Sequence, residues 1–275
     1  MINRIADACR FYEWSDITAN ALEQYLSGMD RKSRTYNNYI VAFKGFCKWA
    51  VKNKYAHTNP VDECDLIGSG EDEQERRALS PEELRLLLET TRQAPTRFGL
   101  TGTERCILYV LAVELGLRKR ELINLRVSSF NLDKGTVTVE REVAKNRHRA
   151  TLPVKQQRVS QLREFLSNKL PNVKLFPLNA DSFRAADMIQ ADLKDANIPI
   201  ETDQGVCVFH CLRNSYSTNL AQTGCSWFEH KVMMRHSLKA DVTAGYTEVS
   251  LERKKAIVEQ LPDFEWPIQA LKAVG

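Results

Sequence analysis

Six residues between positions 118 and 246 make a set that could transfer a phosphoryl group without a metal: Arg118, Lys145, His210, Arg213, His236 and Tyr246. Attack on a phosphodiester puts growing negative charge on two nonbridging oxygens, and fixed donors must meet it. Two arginines suit that task, because their planar forks donate in pairs and stay charged at any working pH. A tyrosine, with a pKa near ~10, is a weak nucleophile at neutral pH unless a base or nearby cations help remove its proton. His210 is a candidate for that base. A lysine can protonate the leaving 5′-oxygen, and His236 can donate to a phosphate oxygen.

Each of these residues also has a plainer reading. His-x-x-Arg, as in His210 and Arg213, is common and often structural. Arg118 alone would be a surface charge beside a helix end, and Arg147 or Arg149 could take the part of Lys145. Tyr216 rivals Tyr246, but it sits within the same predicted helix as Arg213, where reaching a phosphate held by that arginine is awkward. Cys207, His210 and Cys211 invite a zinc reading with Cys225 or His230, yet the second well-spaced ligand pair of a structural zinc site is missing. The chain also lacks a carboxylate cluster suited to two-metal phosphodiester cleavage. The expectation is therefore a site with no metal and no other cofactor.

The elements that must position these residues can be read from periodicity and punctuation. Short helical spacing over 16–28 ends at Gly28, and a longer stripe runs from Ser33 to Asn53. On the latter, Lys44, Lys48 and Lys52 fall four apart and form a row able to follow a phosphate backbone. Asn59-Pro60 stops the helical region, and an acidic segment with Gly68-Ser69-Gly70 has linker composition. Ser80-Pro81-Glu82-Glu83 carries a capping box and opens a second domain. Cys106–Val113 is apolar almost without break and predicts a helix buried on all sides. Gly116 ends it, Arg118 follows, and Glu121-Leu122 open another helical stretch. Period-two alternation from Gly135 to Glu140 predicts a strand, with Ala150–Val154 as its partner and Lys145–His148 at the hairpin tip. Helices are expected over 156–169, 182–195, 211–222 (stopped by Gly224) and 226–234.

Charge is distributed more tellingly than its total. The 275 residues carry a formal net charge of only +4. Residues 29–54, however, hold seven bases and one acid, and 141–163 again seven bases and one acid, while 62–75 hold seven acids and no base. Two basic blocks around an acidic connector suit a protein that grips phosphate with two surfaces. Apolar residues at 43% and charged residues at 27% exclude a largely disordered or collagenous chain. Seven scattered cysteines read as reduced, and no stretch approaches a signal peptide or a membrane helix, so the expectation is a cytoplasmic protein without membrane contact.

With these residues in place, the sequence resembles the tyrosine recombinase (phage integrase) family along nearly its whole length. Gly116-Leu117-Arg118-Lys119-Arg120-Glu121-Leu122 resembles the family's first arginine box, and His210-Cys211-Leu212-Arg213 with Thr218, Leu220 and Gly224 its second. Lys145, eight residues before Pro153, is similar to its hairpin lysine. Arg235-His236-Ser237 resembles its Gly-His-Ser, and Gly245-Tyr246-Thr247 its nucleophile segment. Each motif is weak, but all five occur in the family's order.

The resemblance implies a mainly α fold with a small three-stranded antiparallel sheet, in two domains. These are a helical core-binding clamp over 1–66, an acidic linker over 67–79, a catalytic domain over 80–262 and a tail over 263–275. The tail either packs locally or docks onto a neighbouring protomer. The implied roles are Arg118 and Arg213 as phosphate clamps, Lys145 as general acid, His210 as proton acceptor, His236 as donor and Tyr246 as nucleophile. Glu121 would hold the first arginine box in place. Lys44, Lys48, Lys52, Arg147 and Arg149 would contact DNA. The partner implied is double-stranded DNA, bound as a homo-oligomer, a tetramer on DNA, with room for accessory DNA-bending proteins. The activity implied is site-specific recombination through a 3′-phosphotyrosyl link, independent of metal and ATP. Its alternatives are a type IB topoisomerase or a noncatalytic DNA-binding remnant. Departures from the family pattern are Arg235 in place of glycine, where its side chain would crowd the turn, a His236–Tyr246 interval one residue longer than usual, and a core-binding domain that starts after the family's first helix.

Overall fold

The computed structural model describes residues 2–29, 33–68, 75–144, 148–179, 181–236 and 248–267. Lys145, Arg147 and Tyr246 lie outside the described residues. The chain divides into two compact units, 1–74 and 75–275.

The first unit is helical. Helix α1 (Ile2–Cys9) precedes a short 3-10 turn at Trp14–Asp16, then α2 (Ala19–Ser27) and α3 (Ser33–Lys52). No element is expected over 2–9 from the sequence, although Ile2, Ile5 and Cys9 recur at helical spacing and pack on the first unit's core. Thr18 caps α2 by accepting from the Ala21 N–H, so the helix begins three residues later than periodicity alone suggests. Ile5, Leu22, Leu26, Ile40, Phe43 and Cys47 build its core. Each fully buried side chain of Leu or Phe size contributes on the order of 1.5–3 kcal/mol.

The described residues at either end of the acidic segment bond to the unit on their own side. Ile67 exchanges two hydrogen bonds with the Asn37 side chain. From Glu75 the chain already belongs to the second unit: the Glu75 carbonyl accepts from Val206 N–H at 2.7 Å, and buried Arg77 pairs with Glu83 and donates to the Pro199 carbonyl. The second unit thus starts five residues before the capping box that announces it in the sequence.

In the second unit, α4 (Pro81–Gln93) opens with the expected box: Ser80 accepts from Glu83 N–H and Glu83 accepts from Ser80 N–H. Helix α5 (Gly102–Leu115) packs on α4, and its run from Cys106 to Val113 is buried throughout. Short α6 (Lys119–Leu122) closes at Leu122 instead of opening a longer helix there, because Ile123 already serves as its C-cap. Strands β1 (Phe130–Asn131), β2 (Thr136–Val139) and β3 (Ala150–Pro153) form a three-stranded antiparallel sheet in that order, with Val137 opposite Leu152 and Val139 opposite Ala150.

Helices α7 (Gln156–Leu166) and α8 (Ala185–Asp195) are each about one turn shorter than periodicity predicts, and a small hairpin, β4 (Glu201–Thr202) with β5 (Gly205–Val206), follows unannounced by any alternation. Helix α9 (Cys211–Gln222) packs on α5. Helices α10 (Trp227–Met233) and α11 (Leu251–Val258) join α9 through Tyr216, Leu220, Met233, Met234, Ile257 and Val258, and Arg253 on α11 donates to the Glu229 carboxylate on α10 at 2.6 and 3.1 Å. The start of the tail packs on its own unit: Phe264 and Trp266 are buried, and Arg158 stacks on the Trp266 ring at 4.8 Å. Local packing therefore accounts for the apolar residues up to Trp266, while 268–275 lie outside the described residues.

Candidate active site

The site is assembled at the ends of α5, α9 and α10. Gly116 ends α5 in the left-handed region (φ +57°), and a Cβ there would stand 2.2 Å from the Tyr216 ring, so two requirements converge on glycine. The turn turns the Gly116 carbonyl toward α9 and delivers Arg118 as the N-cap of α6. Glu121, three residues on and almost wholly buried, accepts the Arg118 backbone N–H at 2.9 Å with one oxygen and Arg118 Nη1 at 3.0 Å with the other. Arg118 keeps 24% of its side chain exposed, whereas Arg213 is 3% exposed.

Arg213 stands in the first turn of α9 and is buried. Its Nη1 donates to the Gly116 carbonyl and its Nη2 to the Met234 carbonyl, so two chain reversals hold it. Burial, with the charges of Arg118 and Arg235 beside it, pulls its guanidinium down to about 10.

Arg235 is the residue that sequence reasoning undervalued. The turn after α10 is a Schellman motif: His236 N–H reaches the Lys231 carbonyl at 3.0 Å, and Arg235 N–H the Val232 carbonyl at 3.0 Å. Its central position needs a left-handed residue, ordinarily glycine, and Arg235 takes it at φ +52°, a strain on the order of 1–2 kcal/mol. The side chain does not crowd the turn as expected. It folds inward to 7% exposure, with Nη1 2.9 Å from Glu121 Oε2 and Nη2 donating to the Gly116 carbonyl at 2.8 Å. The available signal was the helix-stop position itself, where a long cation in place of glycine demands a compensating contact.

His236 follows on this turn. Partial burial of its ring and the charges of Arg213 and Arg118 lower its pKa below 6.5, so it is neutral at physiological pH. Arg118, Arg213, Arg235, Glu121 and His236 therefore form one electrostatic cluster. In it two guanidiniums pair with a single carboxylate and the third, Arg213, bonds only to carbonyls, a formal surplus of two positive charges among the described residues.

His210 is placed differently. It precedes α9 and lines a cavity of about 360 Å³ together with Arg76, Phe183, Arg184 and the two neighbours of Arg118 in sequence, Leu117 and Lys119. Tyr216 is fully buried against Gly116, and burial drives its hydroxyl well above the usual tyrosine value, which disqualifies it as a nucleophile. Arg149, just before β3, forms an exposed 3.4 Å pair with Glu140, just after β2. In the first unit, Lys48 and Lys52 are exposed on α3 and Lys44 is half-buried, with Lys48 3.8 Å from Asp62. Among the described residues no group of three His, Cys, Asp or Glu side chains could hold a metal ion, and no helix is long and apolar enough to cross a membrane.

Comparisons with known proteins agree with this architecture. The phage integrase family model matches residues 77–253. No curated protein is significantly similar in sequence. Among solved structures, the chain is similar to the integrase of mycobacterium phage Brujita, at 22% identity and TM-score 0.52, over 94% of this chain and 83% of that one. It is similar to the Tn1549 transposon integrase in complex with transposon right end DNA, at 14% identity and TM-score 0.63, over 94% and 91% of the two chains. It is also similar to lambda integrase in a tetramer bound to a Holliday junction, at 17% identity and TM-score 0.63, over 88% of this chain and 68% of the other. At these identities the likenesses speak for the fold, whereas the family match covers well over half of the chain: it belongs to the phage integrase family of tyrosine recombinases.

Proposed function

We propose that this protein is a site-specific DNA recombinase that cleaves and rejoins duplex DNA through a 3′-phosphotyrosyl intermediate on Tyr246. The observation that carries this reading is the cluster of three arginines around one buried carboxylate, a cation surplus with no protein anion to absorb it among the described residues. A scissile phosphate, whose charge grows in the transition state, is the ligand such a surplus suits.

In the first step the Tyr246 oxygen bonds to phosphorus and the bond to the 5′-oxygen breaks. His210 accepts the phenolic proton, Lys145 protonates the departing 5′-oxygen, and Arg118 and Arg213 hold the nonbridging oxygens while His236 donates to one of them. The phosphotyrosyl ester conserves the bond energy, so a 5′-hydroxyl from a second duplex reverses the step without ATP. Because fixed guanidiniums supply the positive charge, the step needs no divalent ion. The first unit's lysine row at Lys44, Lys48 and Lys52, with Arg147 and Arg149 from the second, supplies phosphate-backbone contacts that set position rather than sequence. The Tn1549 and lambda integrases, of similar fold, are seen on DNA and, for lambda, as a tetramer, which supports duplex DNA and a homo-oligomer as partners here.

The test is a duplex nicked near the cleavage site, which traps covalent protein–DNA adducts. The proposal expects adducts that vanish in Tyr246→Phe, and joining of two different duplexes. Joining confined to one duplex would make the chain a topoisomerase, and binding without adducts a noncatalytic remnant.

A further inference from the structure

We propose that Arg235 is a positioning residue of the cleavage reaction, the brace that couples the two clamp arginines. The inference rests on the recombinase reading. Arg118 is held by Glu121, and Arg213 by the carbonyls of Gly116 and Met234. Arg235 reaches into both sets at once. Its Nη1 stands 2.9 Å from Glu121 Oε2, the oxygen that also accepts Arg118 N–H, and its Nη2 donates at 2.8 Å to the Gly116 carbonyl that also accepts Arg213 Nη1. One guanidinium thus forms an ion pair with Glu121 and a hydrogen bond to the Gly116 carbonyl, the two groups that orient the two clamp forks arriving from α6 and α9.

Three observations distinguish this from incidental packing. The position is a Schellman turn at φ +52°, where glycine would sit without strain, so a bulky cation is retained against the local conformational preference. The side chain is 7% exposed and its partner carboxylate 1%, so the pair is screened from water. Each shared group keeps another donor when Arg235 is removed, so no buried acceptor is left unsatisfied by its loss. What Arg235 adds is a third positive charge and a cross-link between the Arg118 and Arg213 anchors. A lysine retains the charge but presents a single nitrogen that cannot span both acceptors in the same geometry.

The experiment measures single-turnover adduct formation on the nicked duplex, with DNA affinity and thermal unfolding recorded for each variant. Arg235→Gly relieves the backbone and is expected to fold, to bind DNA within about twofold of the parent, and to cleave about tenfold to a hundredfold more slowly, as loss of a supporting partner does elsewhere. Arg235→Lys is expected to recover part of that loss. On a duplex with an uncharged methylphosphonate at the scissile position, the Arg235→Gly penalty is expected to shrink, because less charge develops for the brace to support; a folding defect would burden both substrates alike. Parental cleavage by Arg235→Gly, or an equal penalty on the two substrates, overturns the inference while leaving the recombinase reading intact. No adduct from the unaltered chain would remove both.

Discussion

The second unit contains two ways of burying an arginine. Arg105 and Arg158 each grip both oxygens of a buried carboxylate: Arg105 those of Asp192 at 2.8 and 3.1 Å, which Arg97 also approaches at 3.7 Å on its way to Asp195, and Arg158 those of Glu114 at 2.9 and 2.5 Å. The remaining donors are also occupied, by the Pro95 and Leu100 carbonyls for Arg105, and by Gln161, the Phe264 carbonyl and the Trp266 ring for Arg158. Around Glu121 the stoichiometry differs. Arg118, Arg213 and Arg235 divide one carboxylate and two backbone carbonyls, and carbonyls offer dipoles, not charge. Balanced pairs hold a fold together; an unbalanced group leaves positive potential, which under the proposed function a DNA phosphate would meet.

That contrast can be broken at either side. The largest effect is expected from Asp192→Asn, which leaves the fully buried Arg105 without its counter-charge. Denaturant unfolding should register a loss of about 3–5 kcal/mol, while cleavage per folded molecule stays unchanged; lost cleavage at undiminished stability would erase the distinction. Arg213→Ala should do the reverse, lowering adduct formation by about a hundredfold to a thousandfold, the cost of removing a transition-state donor, with DNA binding largely kept. Gly116→Ala tests the turn that both halves of the clamp share. Its Cβ meets the Tyr216 ring in a left-handed turn, so a destabilisation of about 1–3 kcal/mol is expected, together with slower cleavage as the shared carbonyl moves.

The smallest effect concerns pH. The folded-state pKa of His236 lies below its unfolded value of 6.5, so the unfolded chain binds more protons between the two. Its contribution to stability is present above pH 6.5 and is lost as pH falls through the folded pKa. Histidine NMR should show that titration below 6.5, and His236→Gln should flatten the acid-side slope of stability. A titration above 6.5 would mean that the ring does not feel the guanidinium surplus.

How far the sequence reaches depends on the kind of signal. The Ser80 box, the apolar run to Val113 and Gly116 were legible because each is a local physical requirement written in adjacent residues. The pairing of β2 with β3 was legible because β2 alternates with period two, whereas β1, only two residues long, was implied by the family resemblance alone. The hairpin of β4 and β5, with two residues per strand, carries too little pattern to read, whereas helix α1 is short enough, at eight residues, for its Ile2, Ile5 and Cys9 spacing to be passed over. Helix α11 went unread although Ser250 caps it, because its mixed charges hide the buried Ile257 and Val258. Of the site, the arginine boxes and Glu121 could be placed by motif. The inward fold of Arg235 could not, since it depends on the long-range approach of Gly116 and Glu121. The burial of Trp266 likewise depends on Arg158 and Phe165, about a hundred residues away.

The central claim, that the arginine surplus serves transfer of a DNA phosphate to one tyrosine, is tested most directly by mapping the attachment site. Adducts trapped on the nicked duplex would be digested with protease and nuclease, and the phosphorylated peptide sequenced by mass spectrometry. The account predicts a phosphate on Tyr246 bonded to the 3′ end of the broken strand. Attachment at any other residue, Tyr216 included, or at the 5′ end, would contradict it.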